Sequence, residues 1–423
     1  MNPRTLRPLL LCATAFALAC DPSMSDGGGS TTGSTPDDDG AASTSATTGM
    51  DSASADDSGS GSDGAADSTG MPDDDTGNGD SSWTELSGPC GGSATNAMWF
   101  DDPSTGFVGC GENAAGEGLY TTIDGGATWQ SHNAFNEVRI MDLRRAPDGV
   151  LYGAGTDQLD GYSMWSIDES GANLALTGLY TPSNNAFTSV GQGENAAVTA
   201  SGQMLVDSLT GTSAAYRSAG GMFEEQYNIG EAAIDDPEVG PAFQVRRIVT
   251  EGEDFYAAGS LINDPARVHL PSQLPGATFH FHTVLLQPDT RDGELLDMHV
   301  WSPTRMIVAG HDQSLRFPLI YVIDGGDPYA SDNWQQVVLA DSGIEYEGGI
   351  NDLAVVGDTV VAVGEKYPTS SGGFVVMSED GGLTWTDITP AEGVGAMSAV
   401  ALFDNGEIVA AGGSGELWRY GAG

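Results

Sequence analysis

Thr122-Ile-Asp-Gly-Gly-Ala-Thr-Trp129 recurs near the end of the chain as Ser378-Glu-Asp-Gly-Gly-Leu-Thr-Trp385. A short apolar run leads into each copy, Gly-Leu-Tyr-Thr before the first and Gly-Gly-Phe-Val-Val-Met before the second. Each copy therefore reads as a strand, a turn of fixed geometry, and a second strand that begins at Trp. The paired glycines supply conformations with φ > 0, and the Asp can accept hydrogen bonds from the N–H groups of its own turn. A unit repeated along most of a chain signals an array of equivalent modules. Here the modules are short strands at even spacing, with Gly-rich turns and no helical periodicity.

Laid against this turn, most of the chain after residue 83 divides into four-strand units. One unit is Ala94–Phe100, Gly106–Gly111, Gly118–Ile123 and then Trp129 onward. A second spans Val138 to Leu179, and its turn Ser166-Ile-Asp168-Glu-Ser-Gly171 is degraded. A third covers roughly 186–220, with Asp207 expected in the turn. The fifth runs from Leu295 to Leu339, with Asp324 in its turn and an insertion before Trp334. The sixth runs from Ile350 to Ile388. The fourth is the poorest: Phe243–Val249, Phe255–Gly259 and Thr278–Leu286 read as strands, and Asn263–Gly276 reads as a loop. A last unit, Met397–Phe403, Ile408–Gly412 and Glu416–Tyr420, lacks a fourth strand. Ser82-Trp83-Thr-Glu-Leu86 matches the fourth strands of other units and would complete it. That closes a ring and leaves no ring-closing edge exposed. The expectation is all-β: a single β-propeller of seven four-stranded blades over 83–423, closed by an N-terminal strand.

The turn resembles the Asp-box of sialidase-type (BNR) repeat proteins. The rhythm of Gly106-Phe-Val-Gly-Cys-Gly followed by Leu119-Tyr-Thr-Thr-Ile-Asp-Gly-Gly is similar to that of photosystem II stability/assembly-factor-like propellers. The resemblance covers most of 83–423 and speaks to fold more than to function. It implies a structural role for Thr122, Asp124, Gly126, Trp129, Asp324, Ser378, Asp380, Gly382 and Trp385, on the face opposite an active site. Sialidase chemistry would need an arginine cluster and a Tyr–Glu pair, and the Phe-Arg-Ile-Pro-like motif of that family is missing.

The first 82 residues are of another kind. Arg4 and Arg7 precede the apolar stretch Leu9–Ala19, which is too short to span a bilayer as a lasting helix and reads as a secretory signal over 1–19. It ends Ala-Leu-Ala-Cys20, resembling the lipobox of bacterial lipoproteins, which implies acylation of Cys20. Residues 20–82 are nearly all Ser, Thr, Gly, Asp and Ala, with 14 Asp over 21–82. Such a composition cannot offset the entropy of ordering and reads as an acidic, disordered tether. Its Asp73–Asp80 run lacks the spacing and the closing Glu of a calcium loop. The localisation expected is the cell envelope, exported and lipid-anchored, with the membrane and leaflet left open. Cys90 and Cys110, the pair left in the exported domain, are expected to form a disulfide.

The whole chain carries a formal charge of −46, and 83–423 alone carries −34. No Lys/Arg patch exists to match phosphates, which excludes nucleic acid, and contact with an anionic membrane surface is disfavoured for the same reason. Neither a phosphate-binding Gly loop nor a Gly-x-Ser-x-Gly elbow occurs, so no cofactor and no catalytic residue is assigned. Five of the six histidines lie between 269 and 311. His280 and His282 would share one strand face and make a weak metal pair, with His269, Asp297 or His299 as a third ligand. In a propeller of this topology the second-to-third and fourth-to-first connections share one face. On it the loops carry Tyr162, Arg267, His269, Arg316, Phe317, Lys366 and Tyr367, a candidate binding face for a protein or glycan. The functional expectation is a non-catalytic binding propeller. A glycosidase-like hydrolase and an envelope assembly or structural factor are the alternatives.

Overall fold

The computed structural model describes residues 82–111, 118–157, 162–171, 173–181, 195–207, 214–226, 244–260, 266–271, 281–286, 293–312, 316–367, 372–390 and 393–421. These residues form seven four-stranded antiparallel sheets, each a blade of one β-propeller. Blades one to six each use four consecutive strands, and blade seven takes its outer strand from the start of the domain. Ser82–Leu86 pairs with Leu417–Gly421 in the register Trp83↔Tyr420 and Leu86↔Leu417. The Trp83 and Tyr420 rings lie 5.2 Å apart, and the Trp83 indole N–H donates to the Ile388 carbonyl of blade six. The expected closing strand is therefore the one observed.

The two Asp-Gly-Gly turns are superimposable in their bonding. Asp124 Oδ1 accepts from Thr128 N–H at 2.9 Å, and Asp380 Oδ1 from Thr384 N–H at 2.8 Å. Thr122 and Ser378 each donate to that Asp at 2.8 Å and accept from the second glycine's N–H at 2.8 Å. The second glycines, Gly126 and Gly382, sit at φ 93° and 95°, where a Cβ is strained. Trp385 is buried, while Trp129 is half-buried and donates to the Ser87 carbonyl ahead of blade one. Asp324 follows a different plan and faces Arg305 at 3.5 Å.

A second repeated device lies at the axis. In six blades the pairing of the inner strand with its neighbour skips one residue, at Asn96, Met141, Arg246, Leu296, Asn351 and Ser398. Such a bulge bends the strand and re-aims the side chain that follows. The bend brings an inner-strand carbonyl close to the end of the second strand. A Cβ on Gly310 would stand 1.9 Å from the Glu294 oxygen, and one on Gly364 1.9 Å from the Gly349 oxygen. A Cβ on Gly155 would make the same approach to the Arg139 oxygen at 2.0 Å, and the second strands of five blades carry Gly at this place, at 155, 259, 310, 364 and 412. Blade one places Cys110 there, opposite Thr95. Cys110 is bonded to Cys90, with Cα atoms 5.3 Å apart, so the expected disulfide is present and fastens the ring-closing seam.

Two expectations need correction. Blade four is complete: Arg267–Pro271 is its third strand and Phe281–Leu285 its outer one. The segment read as a loop thus contains a strand, hidden because Arg, His and Pro break its apolar pattern. Asp207 ends the second strand of blade three instead of forming its turn. It is fully buried and accepts from Asn195 N–H at 2.7 Å, so it ties the start of the inner strand to the end of the second at the opposite end of the blade. Cys20, the 1–19 signal and nearly all of the 20–82 tether lie outside the described residues.

Candidate functional site

The inner strands enclose a cavity of about 550 Å³ along the propeller axis. The residues that follow the bulges are Ala97, Asp142, Arg247, Asp297, Asp352 and Ala399, and all of these but Asp297 line the cavity. Arg247, from blade four, joins the three carboxylates. Its Nη2 donates to Asp352 Oδ1 of blade six at 2.8 Å, its Nη1 to Asp142 Oδ1 of blade two at 3.4 Å, and its Nε to Asp297 of blade five. Blades two and six stand nearly opposite each other in a seven-membered ring. The guanidinium that touches both therefore lies near the axis, as part of the cavity wall.

The carboxylates also clamp the blades to one another. Asp297 Oδ2 accepts from Leu353 N–H of the next blade at 2.7 Å, Asp352 Oδ2 from Val400 N–H at 2.8 Å, and Asp142 Oδ2 from Ala196 N–H at 3.3 Å. The bulged residues add a second hook, Asn351 to the Met397 carbonyl at 2.7 Å and Ser398 to the Thr95 carbonyl at 2.7 Å. Burial and the Asp297 charge push the Asp352 carboxyl up to about 8. Burial opposes ionisation of Asp297 too, but the Arg247 charge and hydrogen bond outweigh it and hold Asp297 below the ordinary range. A neutral and an ionised carboxyl side by side is an arrangement acid–base enzymes use. Here each oxygen of the pair already accepts a bond from Arg247 or from a backbone N–H, so the arrangement acts as a fastener. His299 also lines the cavity, and burial lowers its imidazole to about 4, so it is neutral at pH 7.

The residues expected to form a binding face divide into two sets. Arg316, Phe317, Lys366 and Tyr367 converge on the loop-bearing face between blades five and six. Phe317 is 49% exposed beside the exposed Arg316, whose backbone sits at φ 60°. The Lys366 ammonium lies 3.9 Å from the centre of the Tyr346 ring, and Tyr367 N–H donates to the Glu347 carbonyl at 2.9 Å. Burial, reinforced by Glu365, pushes the Tyr367 phenol up to about 12. His311, Glu294 and Arg246 continue this cluster toward the axis, with His311 Nε2 3.4 Å from Glu294. The other three residues do not join it. Tyr162 covers Gly178 at the side of blade two. Arg267 and His269 are buried in the third strand of blade four, with His269 Nδ1 2.9 Å from Thr283 Oγ1. Burial, aided by the Arg267 charge, lowers His269 to about 3.

His280 lies outside the described residues, and His282 stacks edge-on against Tyr329 at 5.1 Å. Among the described residues no three His, Cys, Asp or Glu side chains are grouped to hold a metal ion. Sequence reasoning missed the axial clamp and named one of its carboxylates, Asp297, only as a possible metal ligand. The signal of these carboxylates is a four-residue pattern, Ile140-Met-Asp-Leu, Leu295-Leu-Asp-Met and Ile350-Asn-Asp-Leu, at the same place in three blades.

No family model matches this chain, and no curated protein matches it. Solved structures do. YCF48 bound to D1 peptide aligns with a TM-score of 0.53 at 17% identity, covering 80% of this chain and 96% of that one. YCF48 from Cyanidioschyzon merolae aligns at 0.55 and 15%, covering 80% and 98%. Virginiamycin B lyase from Staphylococcus aureus aligns at 0.56 and 9%, covering 80% and 99%. At these identities the likeness shows the fold alone.

Proposed function

We propose that this chain is an exported lipoprotein whose propeller binds a polypeptide without catalysis, and that its Asp-Gly-Gly turns are Asp-box repeats. In this reading Cys20 carries the acyl chains and residues 20–82 form the tether. The observation that carries the reading is the convergence of Arg316, Phe317, Lys366 and Tyr367 on one face while the charged groups of the axis are consumed in joining blades. A rigid scaffold with its polar chemistry spent internally leaves its loops to do the recognising. The partner class is supported by the YCF48 structure, which holds a D1 peptide.

Strand direction fits the same reading. Outer strands run from the turn-bearing face to the loop-bearing face, so the chain enters the propeller at Ser82 on the turn-bearing side. In this reading the tether joins the propeller at the end of its strand away from the binding loops.

A photoreactive residue at Phe317 should crosslink to a discrete envelope protein in intact cells, and Arg316→Glu should abolish the adduct. Cys20→Ser should move the protein out of the membrane fraction. An adduct that is absent, together with hydrolysis of a fluorogenic glycoside that Asp352→Asn removes, would replace the binding reading with the hydrolase one.

A further inference from the structure

Outer strands differ sharply in how much backbone they offer. Those of blades one and six have two residues each, that of blade five has three, and that of blade three has four, two of them Glu. Blade two has Ala175–Tyr180, six residues with no charged side chain. Among the described residues it pairs only with the third strand of its own blade. A long, uncharged edge of this kind is a template for another strand, and edges are usually blunted by brevity or charge.

Where this strand ends, a groove of about 520 Å³ opens against blade three. The Tyr180 and Phe223 rings, 4.9 Å apart, are part of its wall, and Met222 stands beside it 85% exposed. Arg217 also lines it, with its guanidinium carbon 5.3 Å from the centre of the Phe223 ring. Its Nε is buried without a hydrogen-bond partner. Arg144, Arg145, Arg247, Arg305 and Arg419 each hold a carboxylate. Arg217 holds none among the described residues, in a protein with 60 Asp and Glu. Here a planar fork of donors faces an aromatic wall and lacks the acceptor that it fits best.

We propose that this rim groove binds an extended polypeptide, which adds to the edge of Ala175–Tyr180 as a fifth strand and sets an Asp or Glu carboxylate against Arg217. Backbone pairing supplies the docking, and the groove selects the side chains. Beside the carboxylate, an apolar side chain of the guest rests on Tyr180, Phe223 and Met222. The surrounding negative charge disfavours guests with several acids, so the groove selects one carboxylate among apolar and β-branched neighbours.

The test is fluorescence anisotropy on the full chain with a labelled peptide, Thr-Val-Thr-Val-Asp-Phe-Thr, and its twin with Lys in place of Asp. The Asp peptide should bind saturably and at least tenfold more tightly than the Lys peptide. Arg217→Gln should erase that difference. Met222→Ser, at a site too exposed to affect folding, should weaken both peptides, and Arg316→Glu on the loop face should change neither. Equal binding of the two peptides, no saturable binding, or indifference to both Arg217→Gln and Met222→Ser would overturn the proposal. The indifference of Arg316→Glu separates this groove from the loop-face site, so either can fail alone.

Discussion

The turns at the rim and the bulges at the axis are both repeated hydrogen-bond devices, and they differ in reach. Asp380 accepts from Ser378, Leu383 and Thr384, all within four residues of itself. Asp297 accepts from Arg247 and Leu353, in the blades on either side. The first device shapes one hairpin in open solvent. The second holds separate blades in one ring, in a place water reaches poorly. Identical residue types thus do local work at the surface and long-range work at the centre, and the energetic stakes follow the environment.

The comparison breaks most visibly at Arg247. Arg247→Ala leaves Asp142, Asp297 and Asp352 together without their cation, and removing one partner of a buried ion pair costs about 3–5 kcal/mol. Thermal or urea unfolding should show a loss of that size. A loss no larger than that of a rim-turn variant would mean that the axis is not what holds the blades.

Acidity offers a finer cut. The Asp352 carboxyl is raised from its ordinary 3.8 to about 8 in the folded protein, so the fold binds a proton there that the unfolded chain releases. Its stabilising contribution is complete below about pH 4 and is lost as pH rises through 8. Asp352→Asn lacks this slope. The melting temperature of the variant, relative to the parent, should therefore climb steadily between pH 5 and pH 8. A flat difference would show that Asp352 is ionised throughout.

The smallest effect belongs to the rim. Asp380→Ala removes the acceptor that organises one turn, and such exposed, local bonds contribute about 1 kcal/mol net. The other six blades should be untouched, with the loss confined to exchange protection near residues 378–385.

Legibility in the sequence tracks the same division. Thr122–Trp129 and Ser378–Trp385 announce themselves because every partner lies within one short word. Trp83–Leu86 was readable as the closing strand because it copies Trp385–Ile388 and Trp334–Val337. The axial clamp was not, since Asp142, Arg247, Asp297 and Asp352 meet only after four blades have closed. Even so, two of the glycines beside its bulges, Gly259 and Gly412, were in view as the last residues of strands read from the sequence. Arg267–Pro271 failed for another reason: a strand buried on both faces normally reads as apolar, and this one carries Arg267 and His269. Of the seven loop-face residues, the four that converge belong to blades five and six, where strand boundaries were clear.

The seam between the closing strand and the disulfide sets how the molecule carries a mechanical load. A pull on the chain ahead of Ser82 enters the ladder at its end, where Ser82 meets Gly421, so the rungs toward Leu86 bear tension one after another. Only four residues past Leu86 the chain reaches Cys90, which is covalently tied to Cys110 in blade one. Peeling therefore stops at a bond that tension of this kind does not break, and the load passes into a different sheet. If the strand is torn away, its free end stays beside its groove in blade seven and can zip back when the pull relaxes.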